Sequence, residues 1–152
     1  AHTTQATAAN QPSLVVSGVI NLENGKPAIV FDGVNDFLSF NGEVLNKGSF
    51  LAFTVAKNLK TSGASRVFDQ SNINGGAVLN SKARVNGGSE INNNAIFTMS
   101  GNTGIAFVIG ENSPAGSQAF QGTMQEIIIY TTNNNSNISV IETQINNYYT
   151  IY

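Results

Sequence analysis

The chain has 152 residues, a formal net charge of −2 and only 11% charged residues, whereas an average soluble domain has about 25%. This charge gives no electrostatic reason to bind phosphate, so nucleic acid is excluded as an expected partner. The chain has no cysteine, which excludes disulfides and thiolate metal sites. A chain of this length is expected to form about one domain. Its apolar runs are only a few residues long, so we expect no membrane insertion.

The first 11 residues are small and polar and show no hydrophobic periodicity. This pattern predicts a flexible arm or linker at 1–11, followed by a single domain at 12–152. The chain begins with neither a methionine nor the segments of a signal peptide. We therefore expect a processed chain or a piece of a longer one, whose arm contacts neighbouring structural proteins of the same assembly.

Short strands are predicted through the first third of the domain, at 14–16, 28–31 and 37–40. Asn24-Gly25 predicts a tight hairpin turn, because both residues tolerate positive φ. The dipeptides Asp32-Gly33 and Asn35-Asp36 predict a polar corner between the second and third of these strands.

The mostly apolar run 50–56 predicts a central strand that is covered on both faces, and the run 124–130, the strongest strand signal of the chain, predicts a buried strand. The middle of the chain gives weaker strand signals at 66–68, 77–79 and 105–109, and residues 80–94 are nearly all polar. Many short strands separated by Gly and Asn predict an all-β, antiparallel sandwich.

One helix is predicted near the C-terminus. Ser139 and Glu142 fit a capping box, in which the two side chains satisfy exposed N–H groups at the start of the helix. Apolar residues then recur at steps of three and four and line one helix face: Ile138, Ile141, Ile145 and Tyr148. We expect this face to seal one end of the sandwich, and partner binding is the alternative.

The two ends of the domain carry the motifs of a known family. Near the start stand Gln-Pro-Ser-Leu-Val from Gln11, Asn-Gly-Lys-Pro from Asn24 and Phe-Asp-Gly from Phe31. Near the end stand Gly110 and the run from Phe120 to Tyr130, followed by a terminal helix and tail. These motifs resemble the laminin-G-like, concanavalin-A-like lectin and glucanase family, of the type found in phage or bacterial surface proteins.

The resemblance implies a jelly-roll β-sandwich with one short C-terminal helix. This fold carries lectins, glycan-binding modules, glucanases and purely structural domains, so it does not decide the activity. The chain also departs from the family, because Glu90 to Ile109 is too short for a further hairpin that family members have. A missing hairpin would shorten the concave sheet on which family members often bind sugars.

Two carboxylates in the predicted corner, Asp32 and Asp36, are candidate calcium ligands, since calcium requires six to eight oxygens. The alternative is that they accept hydrogen bonds from the backbone of the turn, and we favour this alternative. Asp69 and the neighbouring amides form a second oxygen-rich cluster, for which a plain loop is again favoured. We predict no required cofactor.

Sugar recognition needs amides or carboxylates that read hydroxyl groups and a flat ring that stacks on the pyranose. The chain has no Trp, and packing accounts for the tyrosines of the terminal helix and tail. Asn side chains in loops are the candidate sugar ligands, and simple loop solvation is an equally good explanation of them: Asn72, Asn74, Asn92, Asn93, Asn94 and Asn112.

Glu126 stands among apolar residues of the last strand, where a carboxylate is costly unless it has a partner. A retaining glucanase needs two carboxylates about 5 Å apart, and the family's glucanases place them on alternate positions of one strand. Ile128 and Tyr130 occupy the alternate positions here. We therefore expect Glu126 to anchor a sheet edge or to bridge to Arg66 or Arg84, and we predict no catalytic residue.

These observations predict a non-enzymatic domain displayed on the surface of a larger assembly, such as a phage head or tail fibre or a bacterial adhesin. Its expected role is attachment to cell-surface carbohydrate, and its expected location is a virion surface or the cell exterior. The alternatives are a calcium-assisted lectin module of a secreted enzyme, and a structural capsid or spacer domain with no ligand.

Overall fold

The computed structural model describes residues 2–40, 44, 50–63, 65–69, 78–83, 86, 88–89, 91–98, 106–111, 118–131 and 135–152. The elements within these residues are, in chain order, β1 Thr3–Thr4, β2 Val15–Val16, β3 Val19–Ile20, β4 Leu22–Glu23, β5 Lys26–Pro27, β6 Ile29–Asp32, β7 Leu38–Phe40, β8 Leu51–Asn58, β9 Phe68–Asp69, β10 Val78–Ala83, β11 Ile91–Thr98, β12 Phe107–Ile109, β13 Gln121–Tyr130 and the helix α1 Ile138–Tyr149. Short 3-10 helices lie at Ala8–Asn10 and Asn135–Asn137.

The strands form several small sheets, in which every pair is antiparallel. One sheet has four strands in the order β1-β7-β12-β9, and another has three in the order β6-β13-β8. The pairs β2-β3, β4-β5 and β10-β11 form two-stranded sheets. The prediction of an all-β fold with one C-terminal helix is confirmed, while the jelly-roll order of the strands stays a prediction.

The core lies beside the three-stranded sheet. Phe31, Phe120 and Met124 form a buried cluster, and the two phenyl rings meet edge to face with centroids 5.7 Å apart. Ile109 of the four-stranded sheet packs against this cluster, so the two larger sheets share the core. Burying large apolar side chains in this way is the main favourable contribution to folding.

The closing strand β13 is central in its sheet, between β6 and β8, as expected of a long apolar run. Its last four residues, 127–130, are only half-buried, however. The strand β8 lies at the edge of the described sheet, and its burial alternates more than predicted, with Val55 buried and Thr54 and Ala56 exposed. The prediction of a central strand covered on both faces is therefore wrong, because β8 pairs within the described chain only with β13 and the face that carries Thr54 and Ala56 is open to solvent.

The middle of the chain contains a hairpin that the sequence did not indicate. Strands β10 and β11 pair from Val78 with Thr98 to Ala83 with Ile91, with a register shift after Leu79. Much of this hairpin falls in the polar segment 80–94. Backbone pairing does not require apolar side chains, which is why polarity is a weak argument against a strand.

Part of the predicted N-terminal arm pairs with the domain. In β1, Thr3 and Thr4 pair with Phe40 and Ser39 of β7. The carbonyl of Asn10 accepts a hydrogen bond from the Phe37 N–H at 3.1 Å. The division of the chain at residue 11 stays a prediction, but the segment before it has specific partners.

The helix α1 begins at Ile138, two residues earlier than a capping box with Ser139 as its N-cap predicts. Asn137 is the residue before the helix, and its side chain makes no capping hydrogen bond. Ser139 lies inside the first turn, and its carbonyl accepts a hydrogen bond from the Thr143 hydroxyl at 2.8 Å. The capping-box prediction is wrong, because the preceding 3-10 turn leads directly into the helix. No helix among the described residues is long and apolar enough to cross a membrane.

Candidate functional site

The corner after β6 is built by its two carboxylates. Asp32 Oδ1 accepts hydrogen bonds from the N–H groups of Val34 at 2.7 Å and Asn35 at 3.3 Å. Asp36 Oδ2 accepts the N–H of Asp32 at 2.8 Å. These bonds confirm the favoured interpretation of the pair as turn residues.

The geometry of the corner is tightly fixed. Gly33 has φ 81°, and a Cβ at this position would lie 2.6 Å from Cβ of Gln121, so the turn requires glycine there. Asp36 is buried, and this burial raises the pKa of its carboxyl, helped by the nearby charge of Asp32 and opposed by the hydrogen bond from the Asp32 N–H.

Among the described residues, no three His, Cys, Asp or Glu side chains lie close enough to hold a metal ion. Two oxygens of the Asp32 and Asp36 pair are already acceptors within the turn. A calcium ion would have to compete with these bonds, because it draws on the same carboxylate oxygens. Calcium binding stays a prediction.

The asparagines predicted as sugar ligands do not form a described site. Asn72, Asn74 and Asn112 lie outside the described residues. The backbone of residues 92–94 belongs to strand β11, where Asn92 pairs with Lys82 and Asn93 with Ser81. The prediction that residues 92–94 belong to a loop is wrong, because a polar segment can pair through its backbone as a strand.

A β-bulge decides where Glu126 lies. In the pairing of β13 with β8, Met124 lies opposite Ala56 and Glu126 opposite Val55, so Gln125 is an extra residue. Regular alternation would place Met124 and Glu126 on one face, which here is the core face. The bulge moves the carboxylate away from the core, and Ile127 packs against the core cluster instead.

Glu126 meets the helix that follows it in the chain. The Glu126 carboxylate lies beside the Tyr149 phenol of α1, and both groups line the same pocket. Burial raises the pKa of Tyr149, and the charge and hydrogen bond of Glu126 raise it further. The predicted bridge to Arg66 is wrong, because Arg66 Nε donates to Gln118 Oε1 and its Nη1 lies 3.8 Å from Asp69 Oδ1. Glu126 also lies on the central strand of its sheet rather than at a sheet edge. Arg84, the other predicted partner, lies outside the described residues.

An open groove lies between β13 and α1, and we call it the helix groove. Its volume is about 390 Å³, and its lining combines one carboxylate, one amide, one aliphatic side chain and two phenol rings: Glu126, Gln144, Ile145, Tyr148 and Tyr149. The Tyr148 side chain is 57% exposed. It contacts the Tyr149 ring edge to face, with centroids 4.8 Å apart.

The hairpin β4-β5 holds one end of this region in place. Gln125 Nε2, on the bulge, donates to the carbonyl oxygens of Glu23 at 3.1 Å and Lys26 at 3.3 Å. Lys26 Nζ lies 4.2 Å from the centroid of the Tyr148 ring, which is a favourable cation–π distance. A cation, a carboxylate and an amide thus surround an exposed aromatic ring.

The C-terminal tail fixes the end of α1 that carries the two tyrosines. Thr150 adopts a left-handed conformation, with φ 55°, and its N–H donates to the Asn146 carbonyl at 2.7 Å. Asn146 Oδ1 accepts the N–H groups of Ile151 and Tyr152, both at 3.0 Å. Asn24 Nδ2 adds a hydrogen bond to the Thr150 carbonyl at 3.2 Å. The tail is therefore bonded both to its own helix and to the hairpin β4-β5.

Sequence reasoning did not assign the helix groove. It placed Tyr148 on the packing face of α1 with Ile141 and Ile145, and the structure leaves that ring more than half exposed. The sequence feature that could have indicated the groove is the adjacent pair of tyrosines at the end of an otherwise aliphatic helix face. The position of Glu126 opposite this pair depends on the bulge, which no sequence pattern indicated.

The chain matches no protein-family model, no curated protein and no solved structure.

Proposed function

We propose that this chain is a non-enzymatic binding domain that attaches to carbohydrate through the helix groove. The observation that carries the proposal is the exposed Tyr148 ring beside Glu126 and Gln144. An aromatic face stacks on the apolar face of a pyranose, and a carboxylate and an amide accept and donate hydrogen bonds to its hydroxyl groups.

The chemistry of the groove supports binding over hydrolysis. Acid–base cleavage of a glycosidic bond needs two carboxylates that flank the bond. Among the described residues, Glu126 is the one carboxylate that lines the groove, where it lies beside the Tyr149 phenol. A single carboxylate can accept hydrogen bonds from the hydroxyl groups of a ligand, but it cannot supply the pair that hydrolysis needs.

We infer further that the two larger sheets form the two layers of a jelly-roll sandwich, as the family resemblance implies. The shared core of Phe31, Phe120, Met124 and Ile109 supports this inference. In this proposal the domain is displayed on a virion or cell surface as part of a larger assembly. Its surface, rich in neutral polar residues and poor in charge, suits an exterior location.

A glycan array probed with a multimerised form of the domain tests the proposal. We expect saturable binding to a defined set of glycans. Tyr148→Ala should weaken that binding at least about tenfold, a loss of about 1.4 kcal/mol. Gln144→Ala should weaken it by a smaller factor, because it removes hydrogen bonds to hydroxyl groups rather than a stacking surface.

Tyr152→Ala is the matched control, since Tyr152 is 59% exposed and does not line the groove. Its hydrogen bonds to Asn146 use backbone atoms, so the substitution should leave both the tail and glycan binding unchanged. A blank array, or equal loss of binding in the two tyrosine variants, would overturn the assignment of the groove. Repeating the array with calcium and with a chelator separates metal-assisted recognition from recognition by the groove alone.

A further inference from the structure

The helix groove carries a negative charge that no described cation balances. Among the described residues, Glu126 is the carboxylate that lines the groove, and this position of β13 is half-buried. No lysine or arginine of the described chain lies within ion-pair distance of it, since the ion pairs found there use other carboxylates: Lys57–Glu23 and Arg66–Asp69. A half-buried carboxylate attracts a cation from outside, because burial weakens the screening of its charge by water.

The two phenol rings of the groove add a second attraction for a cation. Tyr148 and Tyr149 meet nearly at right angles, with an interplanar angle of 83°, and form an aromatic corner. The face of an aromatic ring is electron-rich and attracts ammonium groups. Because this corner lines the same groove as Glu126, an ammonium group bound there meets a full negative charge and aromatic rings together.

The chain itself places an ammonium group on one of these rings. Lys26 Nζ lies 4.2 Å from the centroid of the Tyr148 ring, within the distance of about 6 Å at which a cation–π contact is effective. Lys26 belongs to the hairpin β4-β5 and is not among the residues that line the groove. Its ammonium therefore lies against the ring, and the Glu126 carboxylate keeps an unpaired charge.

The charge of the groove distinguishes three classes of sugar. An acidic sugar would bring a second carboxylate towards Glu126, and like charges repel. A neutral sugar can stack on Tyr148 but leaves the charge of Glu126 without a partner. An amino sugar can stack in the same way and also offers a protonated amino group to the carboxylate, and hydrogen bonds between charged partners are stronger than neutral ones.

We propose that the helix groove selects amino sugars, whose protonated amino group binds beside the Glu126 carboxylate and the Tyr148 and Tyr149 rings. Gln144, which also lines the groove, then forms hydrogen bonds with a neighbouring hydroxyl group. The inference rests on the proposed carbohydrate function and names the class of sugar that the groove takes. Lys26 competes with the ligand, because its ammonium already lies on the Tyr148 ring.

Isothermal titration calorimetry with two matched oligosaccharides tests the inference. Short oligomers of glucosamine and of N-acetylglucosamine share one backbone, and only the former carry an ammonium group in slightly acidic buffer. We expect the glucosamine oligomer to bind the parent chain at least about fivefold more tightly, on the scale of one cation–π contact or ion pair. A neutral preference, or equal affinity for the two oligomers, would overturn the inference and leave the carbohydrate proposal standing. Binding of neither oligomer, with a blank glycan array, would overturn both.

Glu126→Gln should remove most of this preference, because it removes the charge and keeps the size and hydrogen bonding of the side chain. Its unchanged affinity for the N-acetylglucosamine oligomer would show that the groove is intact. Glu23→Gln is the matched control, since it changes the net charge equally but alters a carboxylate that pairs with Lys57 outside the groove. An equal loss of preference in the two variants would indicate attraction to the net charge alone, and would overturn the inference.

Lys26→Ala gives a second measurement. The substitution removes the ammonium group from the Tyr148 ring, while the backbone carbonyl that accepts the Gln125 side-chain amide remains. We expect tighter binding of the glucosamine oligomer, because a competing like charge is removed. Weaker binding would overturn the role given to the aromatic corner.

Discussion

The hairpin of β2 and β3, which we call the apolar hairpin, and the closing strand β13 are both rich in consecutive β-branched residues, with Val-Val and Val-Ile in one and Ile-Ile-Ile in the other. Strand β13 has β6 and β8 as neighbours and packs Met124 and Ile127 against the core. The apolar hairpin has no neighbour beyond its own two strands among the described residues, and its side chains remain half exposed or more.

The comparison shows that apolar character alone does not determine burial. Strand β13 acquires its partners from distant parts of the chain, since β6 and β8 precede it by about 90 and about 70 residues. The apolar hairpin closes on itself through a local turn and leaves its surface available. The first segment helps to hold the fold together, whereas the side chains of the second remain half exposed or more.

The largest expected difference between the two regions is in stability. Met124→Ala should lower the free energy of unfolding by about 2–5 kcal/mol, because it removes a buried side chain and leaves a cavity. Val16→Ala should change it by no more than about 0.5 kcal/mol, as for other exposed positions. Urea unfolding of the two variants measures this difference. Similar losses in both would mean that the apolar hairpin is covered within a single chain.

A smaller effect is expected from loosening the contact between α1 and Glu126 of β13. Tyr149→Phe removes the hydroxyl beside the half-buried Glu126 carboxylate and should cost about 1 kcal/mol, the scale of one polar contact. Tyr148→Phe keeps the exposed ring and serves as the control. Urea unfolding at neutral pH should separate the two variants, and equal stabilities would contradict the role given to the Tyr149 hydroxyl.

The burial of Tyr149 beside Glu126 predicts that the contribution of this residue to stability depends on alkaline pH. The pKa of Tyr149 is raised in the folded state, so its contribution is fully present below the ordinary tyrosine pKa of about 10. It is lost as the pH rises through the raised value, because the unfolded chain then releases the proton first. The stability difference between the parent and Tyr149→Phe should therefore shrink above about pH 10. A difference that stays constant there would contradict this prediction.

The Asp32–Asp36 corner lies between the two regions in the chain. It predicts a weaker dependence of the folding stability on acidic pH. Burial raises the pKa of Asp36, so the folded chain binds a proton more tightly than the unfolded chain does. Stability from this group is fully present below the unfolded value of 3.8 and is lost as the pH rises through the folded value. The parent should therefore gain stability relative to Asp36→Asn as the pH falls towards 4, and thermal melts over this range would show the trend. A loss of stability of the parent relative to Asp36→Asn as the pH falls would mean that the folded chain favours the charged form of Asp36.

The smallest expected effect is that of calcium. Because two oxygens of the Asp32 and Asp36 pair accept backbone N–H groups, we expect the melting temperature to be the same with calcium and with a chelator. A clear rise with calcium would show that the ion displaces these hydrogen bonds, and would favour the calcium-assisted lectin alternative.

The sequence by itself determined the local features of this protein. The turn at Asn24-Gly25, the corner at Asp32-Gly33, the long strand ending at Tyr130 and the C-terminal helix all follow from propensities that act over a few residues. These features arise from backbone strain, side-chain hydrogen bonds within a turn, and runs of apolar residues. Each can be recognised without knowing which segments become neighbours.

Only the tertiary structure decided the burial of each segment and the composition of the helix groove. The bulge at Gln125 is visible only in the pairing of β13 with β8, and it alone turns Glu126 away from the core and towards Tyr149. Similarly, the β-branched residues of the apolar hairpin and of β13 give the same local signal, and only the neighbouring strands distinguish them. Burial and side-chain convergence depend on contacts between residues far apart in the chain, which local periodicity does not encode.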